Sequence, residues 1–266
     1  MADLDIRLVA GDGGSATVHW DGGVDTDVLV QAGLIEAITA VADHALSERG
    51  LRRLEVSLPA NDRAGRRAVL RAGFRWEGVR RSALELPDGS YGDVVIFARL
   101  AEDQVGGPAG FSGVMNSALP RKRLIAHVLM RDGLGRVLLC ETQFKSDWEL
   151  PGGIVEPYES PRLGAIREVR EELGLELEVG RLLVVDWMPP YLGWDDAIEM
   201  IFDGGTEAEP ELDTRSLQPT EIKKVALVDL DTATVLLTPH AHRRLAIATS
   251  LEPGQMAYTE DGSRLG

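Results

Sequence analysis

Between Gly153 and Leu175 the chain reads GIVEPYESPRLGAIREVREELGL, and the spacing of its glycines and charges leaves few conformations open. Ser160 followed by Pro161 marks a helix start, because the hydroxyl can accept from an unpaired backbone N–H while proline at the first helical position gives up no bond. Gly174 marks the stop. Between them Leu163, Ile166, Val169 and Leu173 recur at three- and four-residue steps, which predicts one packed apolar face. Glu168 stands three and four residues before Glu171 and Glu172, so the three carboxylates are neighbours. Like charges so placed destabilise a helix unless a cation sits among them, and hard divalent ions such as Mg²⁺ take oxygen ligands of this kind. Arg167 can fold back to hold one carboxylate through a bidentate pair.

Written out, the pattern is G-x5-E-x7-R-E-U-x-E-E-x-G-U with U aliphatic, and every specified position is filled. Two of those positions are glycines that no charge argument asks for. The stretch resembles the signature of the Nudix hydrolases in full. The resemblance implies a mixed sheet between helices, an α/β/α sandwich, with Mg²⁺ or Mn²⁺ as cofactor. It implies hydrolysis of a nucleoside diphosphate linked to another moiety, giving a nucleoside monophosphate and a phosphorylated product. Carried over residue by residue, it implies that Glu168, Glu171, Glu172 and the carbonyl of Gly152 bind metal and that Arg167 orients Glu168. Glu168 or Glu171 would be the base, with Glu199 or Glu221 as candidates should the base stand on a later loop, as it does in some members of the family. Gly153, Glu159 and Glu221 would support the loop around the ligands.

The rest of the chain is acidic. A formal charge of −15 over 266 residues is spread over both halves, which argues against a nucleic-acid polymer or an anionic membrane as partner. A phosphorylated small molecule must then be met by metal and by local cations. The start, MADLDIRLVAGDGG, has neither a basic nor an apolar leader-like region, no run is long enough to span a bilayer, and a cytoplasmic location is expected. Cys140 is the only cysteine, so no internal disulfide forms.

Residues 1–100 read as an α+β unit: a hairpin over 5–20, a helix over 33–49 closed by Gly50, a strand at 51–58, a helix from about Asp62 to Ala72, and two strands joined by Pro87-Asp88-Gly89. Arg71-Ala72-Gly73-Phe74-Arg75-Trp76-Glu77-Gly78-Val79-Arg80, with Asp88-Gly89 and Asp93, resembles the second half of a GNAT-type N-acetyltransferase. That family's glycine-rich pyrophosphate loop would fall on Val28 to Gly33, where only Gly33 fits, and its usual Asn and Ser would fall on Asp62 and Gly65. The expectation is a truncated, non-catalytic domain that serves as a packing partner or dimer surface.

Residues 101–120 carry the Gly, Ala, Ser and Pro cluster of a linker. A second domain is expected over 121–266. It opens with Arg121, Lys122 and Arg123, of which Arg123 is the candidate to draw in a substrate anion, and with a hairpin over Gly133-Leu134-Gly135. His127 receives no role, since a lone histidine on a strand is most often packed. Trp187, Tyr191 and Trp194 flank or occupy the loop after the acidic helix and are candidates to stack on a base. The pair Pro189-Pro190 is similar to the ADP-ribose pyrophosphatase subgroup, which favours ADP-ribose or a sugar nucleotide as substrate. The alternatives are a nucleoside triphosphate pyrophosphohydrolase of the sanitising type and a non-catalytic nucleotide sensor; a homodimer is a family-level expectation.

Overall fold

The computed structural model describes residues 5–20, 28–143, 145–206 and 217–264, and its contacts divide the chain into Met1–Pro120 and Arg121–Gly266. In the first unit β1 (Ile6–Ala10) and β2 (Ser15–Trp20) form the expected hairpin, turned through Gly13 and Gly14 at positive φ. Helix α1 (Val28–Asp43) runs into one π turn at His44–Glu48 and stops at Gly50. Strand β3 (Arg53–Pro59), helix α2 (Arg63–Arg71) and the hairpin of β4 (Arg75–Glu85) and β5 (Tyr91–Leu100) follow. The described strands order as β1-β2-β3-β5-β4, with β2 and β3 parallel and the other neighbours antiparallel. Leu34, Ile38, Leu54, Val56, Val69, Phe74 and Phe97 fill the core against α1 and α2.

Gly65, a departure from the acetyltransferase pattern, has a local reason. Asp62 caps α2 by accepting from the Gly65 N–H at 2.8 Å, and a Cβ at Gly65 would lie 2.2 Å from its carboxylate. Gly33 lies in α1 with open space around it; the side chains of residues 28–31, which include Val28 and Gln31, lie outside the described residues.

The linker expected over 101–120 instead holds a helix, α3 (Gly107–Ala118), which packs on β4 within the first unit. Its small residues serve close approach. A Cβ on Gly110 would meet the Gln104 carbonyl at 2.8 Å, and one on Gly113 would meet the Arg75 guanidinium at 2.7 Å. Composition alone does not separate glycine used for freedom from glycine used for contact.

The second unit contains β6 (Arg123–Arg131), β7 (Val137–Thr142), β8 (Trp148–Glu149), β9 (Gly152–Ile154), α4 (Pro161–Leu173), β10 (Leu182–Met188), β11 (Ala197–Thr206), β12 (Ile222–Val228), α5 (Leu230–Leu236), α6 (Pro239–Thr249), β13 (Ala257–Glu260) and β14 (Ser263–Arg264). Its strands order as β12-β7-β6-β11-β10-β13-β14, with β8 on β7 and β9 on β6. The β6/β11 and β10/β13 pairs are parallel, so the sheet is mixed. Strand alternation sorts the core into two faces. Ala126, Val128, Met130, Leu138 and Cys140 pack against Ala165, Val169 and Leu173 of α4, while Leu129, Leu139, Leu183 and Ile201 pack against Leu237 and Leu245 on the α5 and α6 side. That is the α/β/α sandwich. Among the described residues no helix is long and apolar enough to cross a membrane.

Candidate functional site

Helix α4 starts and stops where its sequence says. Ser160 accepts from the Leu163 N–H, Pro161 is the first helical residue, and Gly174 is left-handed at φ 69°. The buried face differs from the predicted one. Leu163 is 58% exposed, whereas Ala165, Val169, Leu173 and the acid Glu172 turn inward. Burial of Val169 and Leu173 contributes roughly 1.5–3 kcal/mol each, and Glu172 is carried in beside them at 6% exposure.

Glu172 is received by backbone. Gly152, on the strand beside β6, donates its N–H to Glu172 Oε2 at 2.9 Å. It holds φ +129°, and a Cβ there would stand 2.3 Å from the Ala126 carbonyl, so no other residue fits without displacing β6. Gly153 has an equally specific neighbour: a Cβ on it would lie 2.9 Å from the Glu168 carboxyl carbon. The paired glycines thus let two carboxylates of α4 lie directly against the β9 backbone.

Arg167 gathers the remaining acids. Its bidentate partner is Glu159, through Nε to Oε1 at 3.0 Å and Nη2 to Oε2 at 3.1 Å, while Nη1 gives one bond each to Glu168 (3.1 Å) and Glu171 (3.0 Å). A further bond from Nη2 to the Ile154 carbonyl ties the cluster to β9. The guanidinium holds Glu159 below the usual carboxylate range.

The other acids are pushed the opposite way. Burial raises Glu172 to about 8, and the charges of Glu149 and Glu168 add to it against the pull of the Gly152 N–H and His127. Burial also raises Glu168; Arg167 opposes this, and Glu171 and Glu221 reinforce it. Glu221 stands in the loop before β12, whose Gln218 N–H is bonded to the carbonyl of Glu172 at 3.1 Å. The result is a cluster of carboxylates with less positive charge than it needs.

The aromatic candidates separate. Tyr191 and Trp194 face each other across a one-residue bridge, exposed, with the Arg123 guanidinium 4.7 Å from the Trp194 ring centre and Tyr191 edge-on to His240 of α6. Arg123 also donates to the Asp195 carbonyl and Lys122 pairs with Asp196, so both cations are engaged by this loop. Trp187 adjoins Asp186, which pairs in register with Glu199, and so leaves β10 on the opposite face; its N–H goes to Asp196 at 3.2 Å. Tyr191 and Trp194 are together, and Trp187 is tied to the same loop through Asp196.

Glu199, a candidate for a base on a later loop, is neither on a loop nor free. It lies within β11 at 3% exposure, between His127 Nδ1 at 2.9 Å and Arg244 Nη2 at 2.8 Å. Burial works against its charge, yet Arg244 and His127 hold it down at about 2. Burial works to lower His127, but the charge and hydrogen bond of Glu199, joined by the charge of Glu149, leave it raised. Sequence reasoning missed this pairing and missed Glu149, whose carboxylate is 4.0 Å from His127 Nε2 and pairs with Lys145. The available signal was alternation: His127 and Leu129 share one face of β6, and the register partners of these two, Ile201 and Asp203, share the face of Glu199 on β11.

Among the described residues no three or more His, Cys, Asp or Glu side chains are arranged as a ready cage for a metal ion. Arg167 spans Glu168 and Glu171, and Glu172 is turned to the Gly152 N–H. The donor chemistry nonetheless fits a hard divalent cation: all donors are oxygens, and Glu168 and Glu172 are pushed upward by burial and, in smaller part, by neighbouring carboxylates.

The family model described as NUDIX domain matches residues 121–249. CTP pyrophosphohydrolase from Escherichia coli (strain K12) is 46% identical over 61 residues, covering 21% of this chain and 44% of that protein. A MutT-like protein from Streptomyces ambofaciens is 43% identical over 58 residues, covering 22% and 37%. The match therefore spans less than half the length of these relatives. Among solved structures, a MutT NUDIX hydrolase from Burkholderia pseudomallei is similar over 50% of this chain and 100% of its own, at 24% identity and a TM-score of 0.42. A GNAT-family acetyltransferase from Bacillus anthracis is similar over 37% of this chain and 58% of its own, at 18% identity and a TM-score of 0.33.

Proposed function

We propose, on the premise that residues 121–249 are a NUDIX domain, that this unit hydrolyses a phosphoanhydride in a nucleoside diphosphate linked to another moiety. The observation that carries the reading is the placement of Glu168 and Glu172 against the Gly152-Gly153 backbone, with Arg167 gripping the acids around them. Glu168, Glu171, Glu172 and the Gly152 carbonyl would hold Mg²⁺ or Mn²⁺, which when bound neutralises phosphate charge and makes its water more acidic.

The protein groups then have separate tasks. Glu168 accepts the proton of the attacking water. The water oxygen bonds to one phosphorus and the bridging P–O bond breaks, leaving a nucleoside monophosphate and a phosphorylated remainder. Arg167 stays anchored by its two bonds to Glu159 and so keeps a fixed positive charge beside Glu168 and Glu171. Tyr191 and Trp194 offer exposed rings for a base, with Arg123 beside Trp194 for an anionic group.

A second reading has its own support. The similarity to CTP pyrophosphohydrolase favours a nucleoside triphosphate, cleaved to a monophosphate and pyrophosphate. Chromatographic product analysis over ADP-ribose, sugar nucleotides, dinucleoside polyphosphates and triphosphates, with Mg²⁺ or Mn²⁺, separates the two by the non-nucleoside product. Turnover is expected from the wild type and a loss of at least about 100-fold in Glu172→Gln, several kcal/mol of transition-state stabilisation. Absence of turnover on the whole panel would leave a nucleotide sensor. Undiminished turnover in Glu172→Gln would remove that residue from the mechanism.

A further inference from the structure

A line of buried charge crosses the second unit beyond the acidic helix. Arg244 of α6 donates from Nη1 to Asp186 at 3.0 Å and meets Glu199 from Nη2 at 2.8 Å. Asp186 also accepts from Thr259 Oγ1 at 2.6 Å and from the Gly262 N–H at 2.9 Å. Glu199 continues to His127, and the five residues Arg244, Asp186, Thr259, Glu199 and His127 are each at most 8% exposed. Burying this many ionisable groups adds little stability over apolar packing of the same volume, so their arrangement calls for another reason.

The line ends on the Gly152 backbone that meets Glu172. His127 pairs with Gly152 in the β6/β9 register, and its Cα and ring Cδ2 stand 2.8 and 3.0 Å from where a Gly152 Cβ would be. Its far nitrogen reaches toward Glu149, one of the charges acting on Glu172. The imidazole is therefore a side wall for the residue that donates to Glu172 and whose carbonyl would, on the reading above, help to hold the ion. Its ring cannot rotate without breaking the bond to Glu199, and Glu199 is fixed by Arg244.

We propose that His127 is a positioning residue, clamped by Glu199 and Arg244, that fixes the Gly152 backbone and Glu149 and thereby sets the affinity of the site for its divalent cation. This rests on the metal-dependent reading above. The carboxylates of α4 supply charge, whereas the clamp supplies the geometry of the backbone that they face.

The test measures metal binding without turnover, by Mn²⁺ titration followed by electron paramagnetic resonance on the full chain, together with hydrogen exchange at the Gly152 amide. His127→Ala should weaken Mn²⁺ binding by roughly 10–100-fold, the usual effect of removing a group that orients metal ligands, and should speed Gly152 exchange. His127→Gln keeps a donor toward Glu199 and should recover affinity to within about threefold of wild type. In turnover assays the Mg²⁺ requirement should rise in His127→Ala while substrate KM at saturating metal stays near wild type. A folded His127→Ala with wild-type affinity and exchange overturns the clamp. Should His127→Ala not fold, Glu199→Gln decides: weakened Mn²⁺ binding supports the clamp and unchanged binding overturns it. Glu172→Gln is the control on the underlying reading, for if it binds Mn²⁺ like wild type, the site is not where the clamp points and both fail.

Discussion

Replacing Glu172 by Gln should make the metal-free protein more stable while disabling it, and the size of the gain follows from the burial of one carboxylate. Glu172 has an ordinary value of 4.5 and is raised to about 8 in the fold. For an acid raised on folding, nothing is lost below the unfolded value, because the group is protonated in both states. As pH rises from 4.5 toward 8 the unfolded chain ionises first, and stability falls by about 1.4 kcal/mol per pH unit until the folded group ionises too. The cost is about 1 kcal/mol at pH 5.5, about 3 kcal/mol at pH 7 and about 4–5 kcal/mol at pH 8.5. Glutamine carries no such cost and can still accept from the Gly152 N–H. Urea denaturation of both proteins with chelator present measures the gap, followed by the fluorescence of Trp148, Trp187 and Trp194 in a Trp20→Phe, Trp76→Phe background that silences the first unit. The gap should widen with pH as stated, and added Mg²⁺ should narrow it by stabilising only the wild type. A gap that is absent, reversed or independent of pH would show that the fold does not hold Glu172 as a desolvated acid.

Arg167→Lys should lower kcat by roughly 10–100-fold with a smaller change in KM, because an ammonium cannot reproduce the bidentate Glu159 pair while also reaching Glu168 and Glu171; steady-state kinetics at saturating Mg²⁺ check this. Gly152→Ala should destabilise the unit by about 2–4 kcal/mol, combining a positive φ with a Cβ pressed onto the Ala126 carbonyl, which equilibrium unfolding measures. Glu199 has the opposite sign to Glu172: burial opposes its charge, but Arg244 and His127 hold it below its ordinary 4.5, so what it contributes is fully present above pH 4.5 and lost as pH falls through its depressed value. Glu199→Gln should accordingly flatten the acid limb of the stability curve, and an unchanged limb would contradict the ion pairs drawn for it.

Short-range chemistry was legible in the chain itself. Ser160-Pro161 and Gly174 bound α4 because a cap is satisfied within one turn, and Asp62 starts α2 for the same reason. The hairpins over Gly13-Gly14 and Pro87-Asp88-Gly89 follow from turn chemistry, and the acids of α4 from their spacing. Less was legible of what each side chain meets. Leu163 completes a helical apolar pattern yet faces solvent, and the small residues of α3 look like a linker yet are contact points. Arg167 was expected to grip Glu168, and its bidentate partner is Glu159 across the loop.

The order of caps, turns and acids was therefore settled by the amino-acid sequence, since each depends on neighbours a few residues away. The tertiary structure alone decided which acids lose their water and which find a counter-charge. His127, Glu199 and Arg244 are far apart along the chain and meet only because β6 and β11 run parallel beneath α6. Desolvation and ion pairing depend on distance in space, and no periodicity along a chain encodes them.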